Sequence, residues 1–293
     1  MRFSDYFKNN AAPVISLELY PPKTERGLQT LKNQVIPNLI KLNPTYITVT
    51  YGAGGSTQGQ TLEIASAIKN DHSLEAACHL TCVGASRSDI DAIVRRIAEA
   101  GIRNIVALRG DVPQRQKTFA AHEDGFAHAN ELVSHIRETE DTSTPFGLAV
   151  AGYPEKHQEA ETLDIDIENL KKKVDAGADI IITQLFYNTY AFLAYRDKVT
   201  AVGINIPIIP GLMPIQSSNQ IQRIASMCGA HLPNDLLEQL EDAGEDDDAV
   251  TRIGTEHCII QSRELLDAGV PGIHYYVLNR SSQIRRIVKG LSL

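Results

Sequence analysis

The chain has 293 residues, 43% of them hydrophobic, and a formal net charge of −8. That length and apolar content suit one α/β barrel or two ordinary domains, and an acidic chain without a basic run is not built to neutralise nucleic-acid phosphates. No apolar stretch approaches the roughly 20 residues that cross a bilayer, and the opening MRFSDYFKNNAAP lacks the apolar core of a secretory signal. Cys78, Cys82, Cys228 and Cys258 are scattered without a CxxC pair, so neither a disulfide framework nor a zinc knuckle is indicated. A reduced, cytoplasmic setting is expected, with small molecules rather than nucleic acid or membrane as partners.

Residues 14–20 (VISLELY) read as the first strand, stopped by Pro21 and Pro22, which cannot continue a ladder. Leu28, Leu31, Val35, Leu39 and Leu42 follow at helical spacing. The second strand, residues 46–51 (YITVTY), runs into the loop GAGGST and a helix from about Gln58 to Lys69. Residues 76–82 (AACHLTC) are the third strand. A helix over 88–100 puts Ile90, Ile93, Val94 and Ile97 on one face and stops at Gly101. The fourth strand, NIVAL (104–108), runs into Arg109, Gly110 and Asp111, two opposite charges around a glycine at a carboxyl end. The polar segment 112–124 is too long for a plain connector and reads as a lid or binding loop. A helix near 126–137 leads to strand five (147–153, GLAVAGY). Helix 167–176 ends at Gly177, strand six is 179–186 (DIIITQLF), and its helix covers 192–202. Strand seven is 207–212 (PIIPGL). A helical insertion around 230–268 includes the acidic run 241–248, read as a solvated loop. Strand eight is 272–278 (GIHYYVL), and an amphipathic helix, 281–289, follows.

Eight strand–helix units with no break in composition point to a single-domain α/β fold, the (β/α)8 TIM barrel. Two fused doubly wound domains would call for a linker, and none is visible. Ligands of parallel α/β sheets collect at the carboxyl ends of strands. Alternation puts Ser16, Glu18 and Tyr20 on one face of strand one, and His79 and Thr81 opposite Cys78, Leu80 and Cys82 on strand three. A carboxylate among barrel-lining positions is costly unless paired or used. Thr50, Tyr51, Arg109, Asp111, Tyr153, Thr183, Gln184 and Tyr276, with Arg280 just beyond, add polar strand ends, which together indicate a large polar ligand site. His79 and Cys82 point to opposite faces and cannot readily share a metal ion. No serine sits at a strand–helix elbow, and GAGGST lacks the lysine of a P-loop. Past strand five, His157 is followed by Asp166, Asn169 and Lys173 on one helical face, beside Lys172. Such a pattern also describes an ordinary exposed charged helix.

Nine segments in order carry a resemblance: E-x-Y-P-P at 18–22, VTYGAGGST at 49–57, HLTC at 79–82, ALRGD at 107–111, AGYPEKH at 151–157, KKVDAGAD at 172–179, ITQLFY at 182–187, IIPGLMPI at 208–215 and LNR at 278–280. Together they resemble the methylenetetrahydrofolate reductases, in the short bacterial form made of the catalytic barrel alone. The resemblance implies non-covalent FAD in a (β/α)8 barrel. It also implies reduction of 5,10-methylenetetrahydrofolate to 5-methyltetrahydrofolate by NADH or NADPH, ping-pong through the flavin, in the service of methionine synthesis. Thr50, Tyr51, Ala53, His79, Arg109, Gly110, Asp111 and Ala129 would line the FAD, as would Tyr153, His157, Ala160, Asp166, Asn169, Lys172 and Lys173. Asp111, Gln184, Gln220 and Arg280 would meet the folate, and Glu18 would donate the proton, its pKa raised by burial toward that of a general acid.

Two positions depart from the family pattern. Ile224 stands where an aromatic often lies against substrate, and His128 where a tyrosine is often found near adenine. A homo-oligomer is expected, and a S-adenosylmethionine-binding second domain is not. A proline-dehydrogenase-like flavin barrel is opposed by the ALRGD and HLTC strands. A barrel that has lost its chemistry and only binds folate is opposed by the joint presence of Glu18, Asp111 and Gln184.

Overall fold

The computed structural model describes residues 1–8, 12–52, 58–111 and 121–291. The short apolar runs become strands β1 (Val14–Leu19), β2 (Tyr46–Val49), β3 (Glu75–Thr81), β4 (Asn104–Leu108), β5 (Gly147–Gly152), β6 (Ile180–Thr183), β7 (Ile208–Ile209), β8 (Gly211–Leu212) and β9 (Gly272–Tyr276). They form one sheet in the order β7-β6-β5-β4-β3-β2-β1-β9-β8, and each pairing is parallel. β7 and β8 are one run of chain divided at Pro210. The first piece pairs with β6 and the second with β9, so the sheet closes as a (β/α)8 barrel. Proline has no N–H to give a ladder, and its carbonyl instead accepts from the His274 amide at 2.9 Å. The seventh strand expected over 207–212 is therefore two short pieces with different partners.

Both faces of each strand are used. Outward residues such as Leu17, Leu19, Cys78, Leu80, Ile105, Val150, Ile181 and Tyr275 join the helices in one apolar layer. Inward residues Val14, Tyr46, Ala77, Val106, Ala149, Ile180 and Ile209 fill the amino-terminal half of the barrel. Phe3, in α1 (Phe3–Tyr6), plugs that end. Its ring meets Tyr46 edge-on at 5.0 Å, and its amide donates to Asn104 Oδ1 at 2.7 Å. An apolar floor leaves the carboxyl-terminal end for polar groups. The cysteines of β3 and its continuation pack outward, as alternation required. Tyr20 does not join Ser16 and Glu18 inside: β1 ends at Leu19 before the two prolines, and Tyr20 is 43% exposed, its backbone tied to the Asn279 side chain.

The helices wrap this sheet. α2 (Glu25–Thr30), a π-helical turn (Leu31–Val35) and α3 (Ile36–Ile40) follow without a break. Pro37 lies inside the run, and the widened turn before it accommodates the missing donor and the ring. The helices after β2 to β6 are α4 (Gln58–His72), α5 (Arg87–Glu99), α6 (Ala129–Thr139), α7 (Leu163–Asp175) and α8 (Thr189–Ala201). Between β8 and β9 lie α9 (Ser218–Cys228), α10 (Asn234–Ala243) and α11 (Asp247–Asp267), and α12 (Ser281–Leu291) follows β9. The acidic run is a turn only at its centre. Residues 241–243 finish α10, and Asp246 caps α11 by accepting from the amides of Asp248 and Ala249. Acidic side chains favour a helix amino terminus, which is why this run starts a helix.

Barrel closure depends on Gly211. A Cβ there would stand 2.2 Å from the Thr183 carbonyl oxygen and 2.7 Å from the Tyr276 hydroxyl. That hydroxyl donates to the same carbonyl at 2.6 Å, and Thr183 Oγ1 accepts from the Gly211 amide at 2.9 Å. Gly211→Ala is expected to cost about 1–3 kcal/mol in urea unfolding. An unchanged midpoint would show that the closure tolerates a side chain.

Candidate active site

Two clefts lie at the carboxyl ends of the strands. The first, about 350 Å³, is lined by Glu18, His79, Thr81, Leu108 and Ile182. Thr50, Tyr51, Arg109, Gly110, Asp111, Gln184 and Tyr276 also line it. The second, about 520 Å³, continues over the ends of β4 and β5 to His128 and Ala129 at the start of α6, and to Asp166, Asn169, Lys172 and Lys173 of α7. Arg109, Ala151, Tyr153 and His157 line both. Each volume lies within the roughly 300–1,000 Å³ of small-molecule sites. Gly110 makes the junction possible. Its φ is +89°, and a Cβ would fall 2.5 Å from Val83 Cγ1, so a side chain here meets both strain and a clash.

Glu18 is at the centre of the first cleft's polar floor. Its Oε2 lies 3.3 Å from Nε2 of fully buried His274 and 3.5 Å from the Thr48 hydroxyl. His79 Nε2 stands 3.1 Å from the same oxygen, close enough for charge attraction but out of line for a hydrogen bond. Behind His274, Nδ1 is 2.8 Å from Ser16 Oγ. Burial pushes the Glu18 carboxyl up, but the two imidazoles outweigh it and hold the group down at about 2. This corrects the expectation that burial alone would raise Glu18 into the range of a general acid. At neutral pH the carboxylate is the resident form.

The second cleft is organised by pairs. Arg109 meets Glu159 in a bidentate ion pair at 2.6 and 2.8 Å, which holds Glu159 below the usual carboxylate range. Asp166 accepts from the His157 amide at 3.1 Å; burial raises its carboxyl, opposed by Lys173. His157 Nδ1 accepts from the Glu159 amide at 3.1 Å, and burial lowers the ring's pKa. The Tyr153 ring packs edge-on against His157 at 4.8 Å. Lys172 Nζ donates to Asn169 Oδ1 at 2.9 Å. Lys173 Nζ donates to the Ala151 carbonyl at 2.5 Å and lies 5.6 Å from the Tyr153 ring centre. An elongated ligand with a planar head and an anionic, hydroxylated tail suits such a pair of clefts.

Most of the expected site residues converge here. Thr50, Tyr51, His79, Arg109, Gly110, Asp111, Tyr153, His157 and Gln184 line the first cleft. Ala129, Ala160, Asp166, Asn169, Lys172 and Lys173 line the second. Gln220, in the first turn of α9, and exposed Arg280 line neither. Ala53 and residues 112–120 of the expected lid lie outside the described residues. Ile224 packs with a cluster containing Leu185, Met213 and Ile221. Two participants escaped sequence reasoning. His274 shares the inward face with Tyr276, so alternation could have found it, whereas nothing in the sequence pairs Glu159 with Arg109.

Lys173 gives a pH signature. Burial lowers its ammonium to about 8 from an ordinary 10.5, with Asp166 opposing. Folded protein then binds fewer protons than unfolded protein between these values, so the destabilisation is full below about pH 8 and is relieved as pH rises toward 10.5. Lys173→Met is expected to remove this rising component, on the order of 3 kcal/mol, from stability measured against pH. An identical pH slope in the variant would contradict the placement of the ammonium.

The family model described as "Methylenetetrahydrofolate reductase" matches residues 2–292. The chain is 40% identical to Methylenetetrahydrofolate reductase (NADH) 1 of Arabidopsis thaliana, covering 95% of this chain but 48% of the relative. It is 38% identical to 5,10-methylenetetrahydrofolate reductase of Escherichia coli (strain K12), covering 95% of this chain and 90% of that one. It thus spans about half the length of the plant and fission-yeast relatives it matches. In fold it is similar to an uncharacterized protein from Clostridium thermocellum that binds two copies of 5-methyl-5,6,7,8-tetrahydrofolic acid, at a TM-score of 0.65 and 14% identity, covering 98% and 96% of the two chains. With the family's sequence pattern running through both clefts and over nearly every residue, the chain belongs to the methylenetetrahydrofolate reductase family.

Proposed function

We propose that the protein reduces 5,10-methylenetetrahydrofolate to 5-methyltetrahydrofolate through FAD, in a ping-pong cycle with a nicotinamide donor. The product would supply methyl groups for methionine synthesis. The observation that carries this reading is the convergence of Glu18, Asp111 and Gln184 on one cleft that opens into a second lined by Asp166, Asn169, Lys172 and Lys173. The plant relatives named for NADH make NADH the first donor to try.

The residues present fit FAD. The clefts join, and Thr81 Oγ1, buried against the first, has no hydrogen-bond partner among the described residues. Lys172 and Lys173 would meet the pyrophosphate, and Arg109 is a third cation that a phosphate could share with Glu159. Asp166 and Asn169 would take ribose hydroxyls, with Ala129 and Ala160 leaving room beside the adenine side. Thr50, Tyr51, His79 and Gly110 would surround the ring system, with Tyr153 and His157 at the junction of the clefts. FAD, when bound, supplies the hydride chemistry.

The chain's own residues bind and orient the folate and manage its proton. Asp111 and Gln184 can accept hydrogen bonds from the pterin's amino groups. Gln220 and Arg280, outside both clefts, are proposed contacts for the part of the folate that projects from the mouth. Opening the methylene bridge requires protonation of the departing nitrogen, and Glu18 is the carboxyl at the cleft floor that could deliver it. Because the free site holds Glu18 as a carboxylate, that proton must be taken up by its cluster before transfer.

Glu18→Gln separates binding from proton delivery. The variant is expected to retain FAD and to be reduced by NADH, while reoxidation by methylenetetrahydrofolate slows by roughly 10²–10⁴-fold, the range for a lost acid–base group. Stopped-flow absorbance reads the two half-reactions separately. Equal slowing of both would make Glu18 a structural residue, and no slowing of either would move the acid elsewhere.

A further inference from the structure

Glu18 does not stand alone, and the groups behind it form a chain that faces no ligand. Registered pairing of β1 with β9 places Ser16 opposite His274 and Glu18 opposite Tyr276. His274 and Ser16 are fully buried, so neither exchanges protons directly with solvent. Nε2 of the ring faces Glu18 Oε2 at 3.3 Å and Nδ1 faces Ser16 Oγ at 2.8 Å. Ser16 Oγ has a second acceptor in reach, the Ile273 carbonyl at 3.5 Å. We propose that His274, held by Ser16, is the positioning residue that governs the protonation of Glu18, so that the proton given to substrate belongs to a shared Glu18–His274 pair. This inference rests on the proposed folate reduction for the destination of the proton, not for the existence of the pair.

Hydrogen-bond bookkeeping supports it. A carboxylate facing a bare imidazole nitrogen sets lone pair against lone pair, so the contact between Oε2 and Nε2 requires a proton between them. With the pair unloaded, that proton is the one N–H of neutral His274. Nδ1 is then an acceptor, and the Ser16 hydroxyl turns to donate to it. With one further proton, His274 carries N–H at both positions, or Glu18 carries O–H and the ring N–H moves to Nδ1. In either form Nδ1–H donates to Ser16 Oγ, and the hydroxyl turns to the Ile273 carbonyl. Ser16 can thus serve both levels by rotating. Transfer moves one proton from the pair to the substrate nitrogen and no electrons; solvent restores it through the cleft. Other titratable groups facing the cluster are His79 of β3, Tyr46 of β2 beside Ser16, and Tyr276, whose ring meets His274 edge-on at 5.3 Å. Both tyrosines are kept neutral by burial, and His79 Nε2 approaches the same carboxylate oxygen at 3.1 Å.

The test uses the full chain labelled with ¹⁵N-histidine and ¹³C-carboxyl glutamate, followed by NMR across pH with and without FAD. The Glu18 and His274 signals are expected to move together with common midpoints, as coupled groups do. Ser16→Ala should displace those midpoints by at least about half a pH unit, and the pH profile of flavin reoxidation by methylenetetrahydrofolate should shift in the same direction. His274→Gln, which keeps a donor toward Glu18 but cannot titrate, should abolish the shared transition. Independent titration of the two residues would overturn the proposal, as would midpoints unmoved by Ser16→Ala in a folded variant. If the wild-type protein failed to reduce folate, the NMR result would still decide whether the pair exists.

Discussion

The barrel closes where the backbone between Ile208 and Leu212 changes partner at Pro210, from β6 to β9, and β9 in turn pairs with β1. A sheet left open at Pro210 would expose two edges, and it is the β1–β9 pairing that sets His274 opposite Ser16 and beside Glu18. Closure therefore seals the edges, a general liability of sheets, and assembles the polar floor of the first cleft from strands at opposite ends of the sequence. The Thr183–Gly211–Tyr276 contacts hold that seam on the side from which ligands would enter. Structural integrity and site geometry share one set of hydrogen bonds.

Within this frame, burial acts oppositely on two charges. Glu18 lies in the barrel, where desolvation disfavours a carboxylate, yet His79 and His274 lie close enough to reverse the outcome. Lys173 is just as enclosed, but Asp166 opposes its desolvation too weakly to restore an ordinary ammonium. The difference is one of distance and number: two imidazoles against a single carboxyl oxygen outweigh one more distant carboxylate. A site that leaves a buried cation undercompensated is prepared for an anion, in keeping with the pyrophosphate proposed for it.

The barrel was legible because strands buried on both faces are short apolar runs, and because period-two alternation sorts His79 and Thr81 from Cys78 and Leu80. It misjudged what chain continuity hides. Alternation carried Tyr20 inward, but two prolines end the ladder at Leu19. The run 207–212 looked like one strand because a proline's change of partner leaves no trace in hydrophobicity. The direction of the Glu18 shift was missed because both imidazoles that lower it come from other strands: His79, the larger influence, from β3, and His274, 256 residues away, from β9. Glu159 follows a loop whose fold decides where it points. The second cleft was better anticipated, since Asp166, Asn169 and Lys173 share a helix face set by local geometry.

The measurement that bears most directly on the proposed function is an anaerobic visible titration of the purified protein. NADH should bleach the bands of a bound flavin, and methylenetetrahydrofolate should then restore them with formation of one 5-methyltetrahydrofolate per flavin, the chromophore released on mild denaturation being FAD. A protein that purifies without flavin and takes none up, or a reduced flavin that methylenetetrahydrofolate does not reoxidise, would contradict the account.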